Sequence, residues 1–372
     1  MPRLDKQLES SLLALARRMV DQQQARVIVS PQQSASGFWF GGGNLVRDRD
    51  GSLVLVGRYR NVGDSRTGLG AGQRGLELAC FRSTDGGSTF AKMLSFSKAD
   101  LNVGDRQVLS IEGSAIHLTA NGVELFVSSE KTGVDYPESL RNHLKPGTGV
   151  WTIDRLQADS IDRLQDATPL TLLESDDPLH LHLKDPFVYE AANHDSYLLF
   201  CTHPFCWSSS NTAYAVRKSG QIEFGDLDRE VFPRGPAWDV AITRGTALVD
   251  LPKVGLFRDL DIRLMFYDGG ESLRNLDEHE AAVRRPRGYS CEELGGVAYV
   301  VGEDLSNLYR LSTEFPTFVS PYGTGCSRYV DVLATDSDFY VTWQQAQEDG
   351  SQPLVINRVR RSEVESILKG EF

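Results

Sequence analysis

Three carboxylates, Glu112, Asp185 and Asp239, each open a short apolar run: Glu112 to Leu118, Asp185 to Tyr189 and Asp239 to Leu248. Acids gathered at one point can divide the labour of glycoside hydrolysis. One protonates the leaving oxygen, a second attacks or activates water, and a third raises the pKa of the acid by like-charge repulsion. Asp also caps turns at such positions, but three acids in register point beyond capping. Polar residues occur at equivalent places: Asn44 and Arg328 open two further runs, and Arg58, Arg60, Glu130, Lys131, His203, Asp268 and Gln345 end the runs that follow. Trp39, Trp151, Trp207, Trp238 and Tyr322 lie in connecting segments, where a ring either packs in the core or stacks on the C–H face of a sugar. Asn44, Arg58, Arg60, His203, Trp238, Asp268 and Arg328 are the expected substrate-binding residues.

These residues need a scaffold that brings strand ends together. Leu4, Leu8, Leu12, Leu13, Leu15 and Met19 recur at helical spacing and predict one amphipathic helix. Beyond it come apolar runs of four to eight residues separated by Gly, Asp, Asn and Ser, with no alternation of helix and strand, so the body is all-β. The runs repeat in groups of four with turns at Asp50-Gly51, Asn121-Gly122 and Asn193-His194-Asp195, which is the pattern of a propeller. Four groups are complete, the last of their fourth runs being Lys92 to Phe96, Pro169 to Leu173, Ile222 to Phe224 and Leu308 to Leu311. The fifth, Tyr329 to Leu333, Phe339 to Trp343 and Leu354 to Val359, lacks a strand, and Ala25 to Val29 is the one available to close the ring. The expected architecture is a five-bladed β-propeller, residues 25–372, preceded by the helix within residues 1–24. A charged insertion at 271–290 reads as solvated surface, a lid or a contact between copies.

The 372 residues carry 39 Lys and Arg against 51 Asp and Glu, net −12, with the basic residues dispersed, which disfavours nucleic acid and anionic membranes as partners. No apolar stretch approaches membrane-spanning length and the N-terminus is unlike a signal peptide, so the expected location is cytoplasmic. Cys80, Cys201, Cys206, Cys291 and Cys326 form neither a disulfide framework nor a zinc pattern and are read as buried thiols. His180 and His182 share one strand face and are read as a solvated approach to the third blade, and Gly41-Gly42-Gly43 as a close-packed turn at the axis. No cofactor or metal is expected. The partner is a carbohydrate substrate, and a second copy is compatible with the sequence.

Lys184-Asp185-Pro186 is close to an Arg-Asp-Pro motif, and Ile111-Glu112-Gly113-Ser114 is like the Glu-Gly that opens an acid-bearing blade. In these motifs and in its architecture the chain resembles the five-bladed propeller glycosidases of glycoside hydrolase families 32 and 43. The resemblance implies Glu112 as general acid and Asp185 as modulating or orienting carboxylate, leaving Asp239, on position alone, as base or nucleophile; the roles of Glu112 and Asp239 are exchangeable. The chain departs from the pattern in having Asn44 where those families place an Asp base, and in the order of its Glu and Lys-Asp-Pro blades. The expected activity is exo hydrolysis of a short oligosaccharide, a furanoside among the candidates.

Ser83-Thr84-Asp85-Gly86-Gly87-Ser88-Thr89-Phe90 also resembles the sialidase Asp-box, a structural turn between third and fourth strands. That second resemblance implies action on an acidic sugar through an arginine triad, Arg58, Arg244 and Arg328, with Tyr322 or Tyr329 and Glu292 or Glu293 as the nucleophile pair. A propeller that binds carbohydrate without turnover is the third alternative.

Overall fold

The computed structural model describes residues 3–371 apart from 62–74, 135, 145–146, 207–208 and 271–292. The charged insertion, Trp207, Cys291 and Glu292 therefore lie outside the described residues. The chain begins with helix α1 (Lys6–Met19). Asp5 caps it, its Oδ1 accepting from the Leu8 amide at 2.9 Å, as expected of a short acid ahead of an apolar period. Strand β1 (Arg26–Val29) follows.

The remaining strands form five sheets in chain order. Blade one holds β2 (Trp39–Gly41), β3 (Leu45–Arg47), β4 (Leu53–Arg60), β5 (Glu77–Ser83) and β6 (Ala91–Ser97), with β2 and β3 pairing successive stretches of β4. Blade two holds β7 (Val108–Thr119), β8 (Gly122–Lys131), β9 (Val150–Ala158) and β10 (Leu170–Leu173). Blade three holds β11 (His182–Glu190), β12 (Ser196–His203), β13 (Asn211–Arg217) and β14 (Gly225–Phe232). Blade four holds β15 (Ile242–Asp250), β16 (Ile262–Gly270), β17 (Leu294–Val301) and β18 (Tyr309–Arg310). Blade five holds β19 (Ser327–Ala334), β20 (Asp338–Gln345) and β21 (Leu354–Arg360), and helix α2 (Arg361–Lys369) ends the chain. β1 pairs antiparallel with β21, so the N-terminal strand supplies the outermost strand of blade five and closes the ring.

The core is a set of layers between neighbouring blades. Val54, Leu78, Leu125 and Leu156 join blades one and two; Phe126, Leu183 and Phe200 join two and three; Phe187, Met265 and Tyr267 join three and four; Phe40, Leu55 and Tyr340 join one and five. The largest layer lies between blades four and five, where the helices add Leu12, Leu15, Met19, Val364 and Leu368 to Phe266, Tyr299 and Trp343.

Three expectations need correction. The fourth strand of blade three is β14, not Ile222 to Phe224; Lys218 to Gln221 close a turn first, and Ile222 is exposed. His180 and His182 are buried: His180 lies in a bend before β11 with its Nδ1 2.9 Å from Thr202 Oγ1 of its own blade, and His182 on β11 is edge-on to the Trp151 ring of the neighbouring blade at 4.9 Å. Cys80, Cys201 and Cys326 are buried thiols, whereas Cys206 is exposed. Among the described residues no helix is long and apolar enough to cross a membrane.

Because Leu15 is fully buried on the inner face of α1, Leu15→Ala should destabilise the protein by about 2–5 kcal/mol. Denaturant unfolding checks this; an unchanged midpoint would mean that the helix is not part of the cooperative core.

Candidate active site

Each innermost strand is interrupted at the same level. The register shifts between Ile111 and Ser114 in β7, Lys184 and Phe187 in β11, Gly245 and Ala247 in β15, and Arg328 and Asp331 in β19, while blade one breaks between β2 and β3. Such bulges redirect side chains. They present Glu112, Lys184, Arg244 and Arg328, with Arg58 from β4, around one centre.

The bulges require unusual backbone. Asp185 and Tyr329 both have φ of 54°, a left-handed conformation that costs an L-residue on the order of 1–2 kcal/mol. Hydrogen bonds hold them there: the Asp185 amide donates to Ser128 Oγ at 3.0 Å, and the Tyr329 amide donates to both oxygens of Asp268 at 3.0 and 3.1 Å. In blade one the equivalent position is Gly42, with φ of 73°. A Cβ there would lie 2.0 Å from Arg58 Nη1, so the glycine run is the close-packed axial turn that its composition implies.

Two linked charge clusters result. Glu112 is buried and meets Arg58 at 3.2 Å, Arg60 at 3.6 Å and Lys184 at 3.6 Å, and accepts from Ser110 Oγ at 3.0 Å. Asp185 accepts from the Gly113 amide at 2.9 Å and pairs with Arg244 at 3.1 Å. Arg244 also binds Asp268, at 2.7 Å, and Glu293, which pairs in turn with Arg328 at 2.7 Å. Tyr329 lies between the clusters: Arg58 donates to its hydroxyl at 3.2 Å, and the guanidinium carbons of Arg244, Arg58 and Arg328 stand 4.1, 5.2 and 5.3 Å from its ring centroid. The guanidiniums can interact with the ring face as well as with the carboxylates.

Burial and charge oppose each other here. Burial pushes the Asp268 carboxyl up to about 6 against the pull of Arg244. Burial would also raise Glu293, but Arg244 and Arg328 outweigh it and hold its carboxyl well below the usual range. Burial raises the Tyr329 phenol, against the opposing pull of Arg244 and Arg58. Burial, assisted by Lys184, drives His203 far below its ordinary value, so it is neutral. Burial lowers His182 to about 3.

Of the residues expected from the sequence, Glu112, Asp185, Arg58, Arg60, Asp268 and Arg328 are brought together. His203 joins their edge through Cys201, whose Sγ is 3.6 Å from His203 Nε2 and 3.7 Å from Asp185 Oδ2. Asp239 is not brought there. β15 begins at Ile242, and Asp239 is fully buried with its Oδ2 2.7 Å from Nε of Arg310 on the outermost strand of blade four. Trp238 accompanies it, stacked on Tyr267 at 5.5 Å. Asn44 lies on the axis but is occupied with backbone, bonding Ile116 N at 2.8 Å and Ile116 O at 2.9 Å. Lys131 is buried against Asp154 and Thr152 within blade two. The residues the three-acid reading passed over, Arg244, Tyr329 and Glu293, are those of the arginine-triad reading, with Tyr329 rather than Tyr322 at the centre. Away from the axis, Asp85 ties the turn between β5 and β6, accepting from Thr89 N at 2.9 Å and from Ser83 and Thr89 hydroxyls, each at 2.7 Å.

No family profile matches the sequence, and no curated protein does. Among solved structures the chain is similar to a thermostable family-43 glycoside hydrolase, at 10% identity over 89% of this chain and 92% of that one, TM-score 0.53. It is also similar to the endo-arabinase of Bacteroides thetaiotaomicron, at 13% identity over 90% and 97%, TM-score 0.54. A third is the β-1,2-mannobiose phosphorylase of Listeria innocua, at 11% identity over 92% and 97%, TM-score 0.53. At these identities the likeness shows a shared propeller fold.

Two substitutions test this assignment of roles. Asp239→Ala strips a buried ion pair of one partner and should cost about 3–5 kcal/mol of stability, read by denaturant unfolding. Asp331 accepts the Leu45 amide at 2.7 Å, and burial raises its carboxyl to about 7. A carboxyl raised above its unfolded value of 3.8 favours the fold at low pH, and that advantage is lost as pH rises to about 7. Asp331→Asn should therefore gain stability relative to the parent between pH 5 and pH 8, whereas equal differences at both would refute the raised carboxyl.

Proposed function

We propose that the chain is a glycoside hydrolase whose reaction centre is the axial cluster of Glu112 and Asp185. The observation that carries this reading is the meeting of the two carboxyl-bearing bulges, where the amide of Gly113, next to Glu112, donates to Asp185 Oδ1. Paired carboxylates are the working groups of glycoside hydrolysis. The sugar-processing activities named for the structurally similar proteins support the same class.

The surroundings refine the roles. Opposite charges favour the ionised form of a carboxyl group. Glu112, among Arg58, Arg60 and Lys184, is therefore assigned the base or nucleophile role in place of the proton-donor role implied by its Glu-Gly motif. Asp185, held by Arg244 and the Gly113 amide, is the orienting carboxylate, and the leaving oxygen takes its proton from water. Asp268 lies beneath Arg244 and Tyr329 and positions them. A furanoside substrate and a cytoplasmic setting belong to this proposal; both rest on the sequence reading, and the arabinase among the similar structures adds support for the furanoside.

The convergence of Arg58, Arg244 and Arg328 on Tyr329, with Glu293 bridging two of them, favours a second reading: the sugar carries a carboxylate held by these arginines.

A panel of nitrophenyl furanosides, pyranosides, uronides and a sialoside tests both readings. Glu112→Gln should lower kcat at least about 100-fold even with nitrophenolate, a leaving group that needs little protonation. A small effect with nitrophenyl substrates beside a large one with natural glycosides would return Glu112 to the acid role. Arg328→Ala should raise KM only for acidic sugars if the second reading holds. Binding without turnover throughout would make the chain a carbohydrate-binding propeller.

A further inference from the structure

A concave surface lies on the mouth side of blade five, outside the axial cluster. Its volume is about 580 Å³, and it is formed where the end of β20, the start of β21 and the segment leading into β1 meet. Ala25, Val27 and Val355 make an apolar floor. Around it stand Tyr322, Gln23, Gln345, Gln347, Glu348 and Asp349.

The wall is fixed by its own bonds. Gln345 Nε2 donates to the Gln22 carbonyl at 3.0 Å, and Gln347 Nε2 donates to the Gln345 carbonyl at 3.2 Å. The loop that presents Gln347, Glu348 and Asp349 is closed by the Gln347 amide on Ser351 O at 2.9 Å, and by Asp349 Oδ1, which accepts from the Ser351 amide at 2.8 Å. Tyr322 is exposed, on a turn where the Gly325 amide donates to its carbonyl at 3.0 Å. Among the described residues the lining includes no Lys or Arg; Arg26, the nearest cation in sequence, turns away and donates to the carbonyls of Gly87 and Ser88.

An exposed ring beside amide and carboxylate oxygens, over an apolar floor and with no cation among the described lining residues, matches neutral polyhydroxyl chains: the ring covers C–H faces and the side-chain oxygens and amides pair with hydroxyls. We infer that this groove is an accessory binding site for a neutral oligosaccharide, distinct in chemistry from the cation-rich axis. Its place favours one continuous ligand. Gln345 pairs with Ser327, the neighbour of Arg328, and β20, β21 and β1 carry the groove about 10–15 Å outward from the axial strand. The choice of a saccharide rests on the glycosidase reading.

Affinity electrophoresis of the full chain through gels containing arabinan, xylan, mannan or polygalacturonate tests this, using the parent, Tyr322→Ala, Gln347→Ala and Asp185→Asn. The expected result is retardation by a neutral polysaccharide that Asp185→Asn retains and that Tyr322→Ala and Gln347→Ala weaken, the tyrosine by about ten-fold in Kd. With a nitrophenyl monosaccharide, the two groove variants should turn over like the parent. Undiminished retardation of both groove variants, retardation by polygalacturonate alone, or no retardation by any neutral polysaccharide would each overturn the site. Retardation that depends on Tyr322 in a protein without hydrolytic activity would sink the glycosidase reading and leave the groove standing.

Discussion

At the axis every blade is tied to the next by a bond from a backbone amide or an arginine to a polar group of its neighbour. The Ser114 amide donates to Gly42 O between blades one and two, the Gly113 amide to Asp185 between two and three, the Tyr329 amide to Asp268 between four and five, and the Leu45 amide to Asp331 between five and one. Blades three and four are joined by Arg244 on Asp185. Five innermost strands that converge on one line cannot satisfy these amides within their own sheets, and a buried amide without a partner is costly. The bulges and the buried carboxylates are the solution to that geometry.

Those acids in turn require cations. A carboxylate removed from water is tolerated only when it is paired and hydrogen-bonded, which explains why the same level of the propeller gathers Arg58, Arg60, Lys184, Arg244 and Arg328. Closure of the ring and assembly of the candidate active site are therefore one arrangement. Asp185 shows this most directly: its backbone bends the strand, one carboxylate oxygen holds blade two, and the other holds blade four. The axial tyrosine serves likewise, its amide locking blade four to blade five while its ring and hydroxyl meet three guanidiniums.

Much of this was legible from local pattern. Turn residues between runs of period-two apolar residues counted the blades, and the unmatched run before the first blade identified the closing strand, because both depend only on short stretches of chain. The strand ends were less legible. Asp239 and Asp185 look alike in sequence, each an acid ahead of an apolar run, yet β15 starts three residues after Asp239 and the acid packs against Arg310, which lies far along the chain. Asp268, expected as a substrate-binding residue at a strand end, instead faces the axis from blade four beside Glu293, bound to Arg244. The histidine pair is a similar case: alternation put both on one strand face, but β11 begins only at His182, which meets Trp151, while His180 bonds Thr202 from the bend before it.

The sequence by itself determined the class of fold, the number of blades, the closing strand and the levels at which charged residues would gather, since turn chemistry and hydrophobic period are properties of neighbouring residues. Only the tertiary structure decided which charges share the centre and which are consumed in structural pairs. That outcome depends on the bulge in each innermost strand: a shift of one residue turns a side chain from the axis to the neighbouring blade, and the partners that stabilise each choice come from blades distant in sequence.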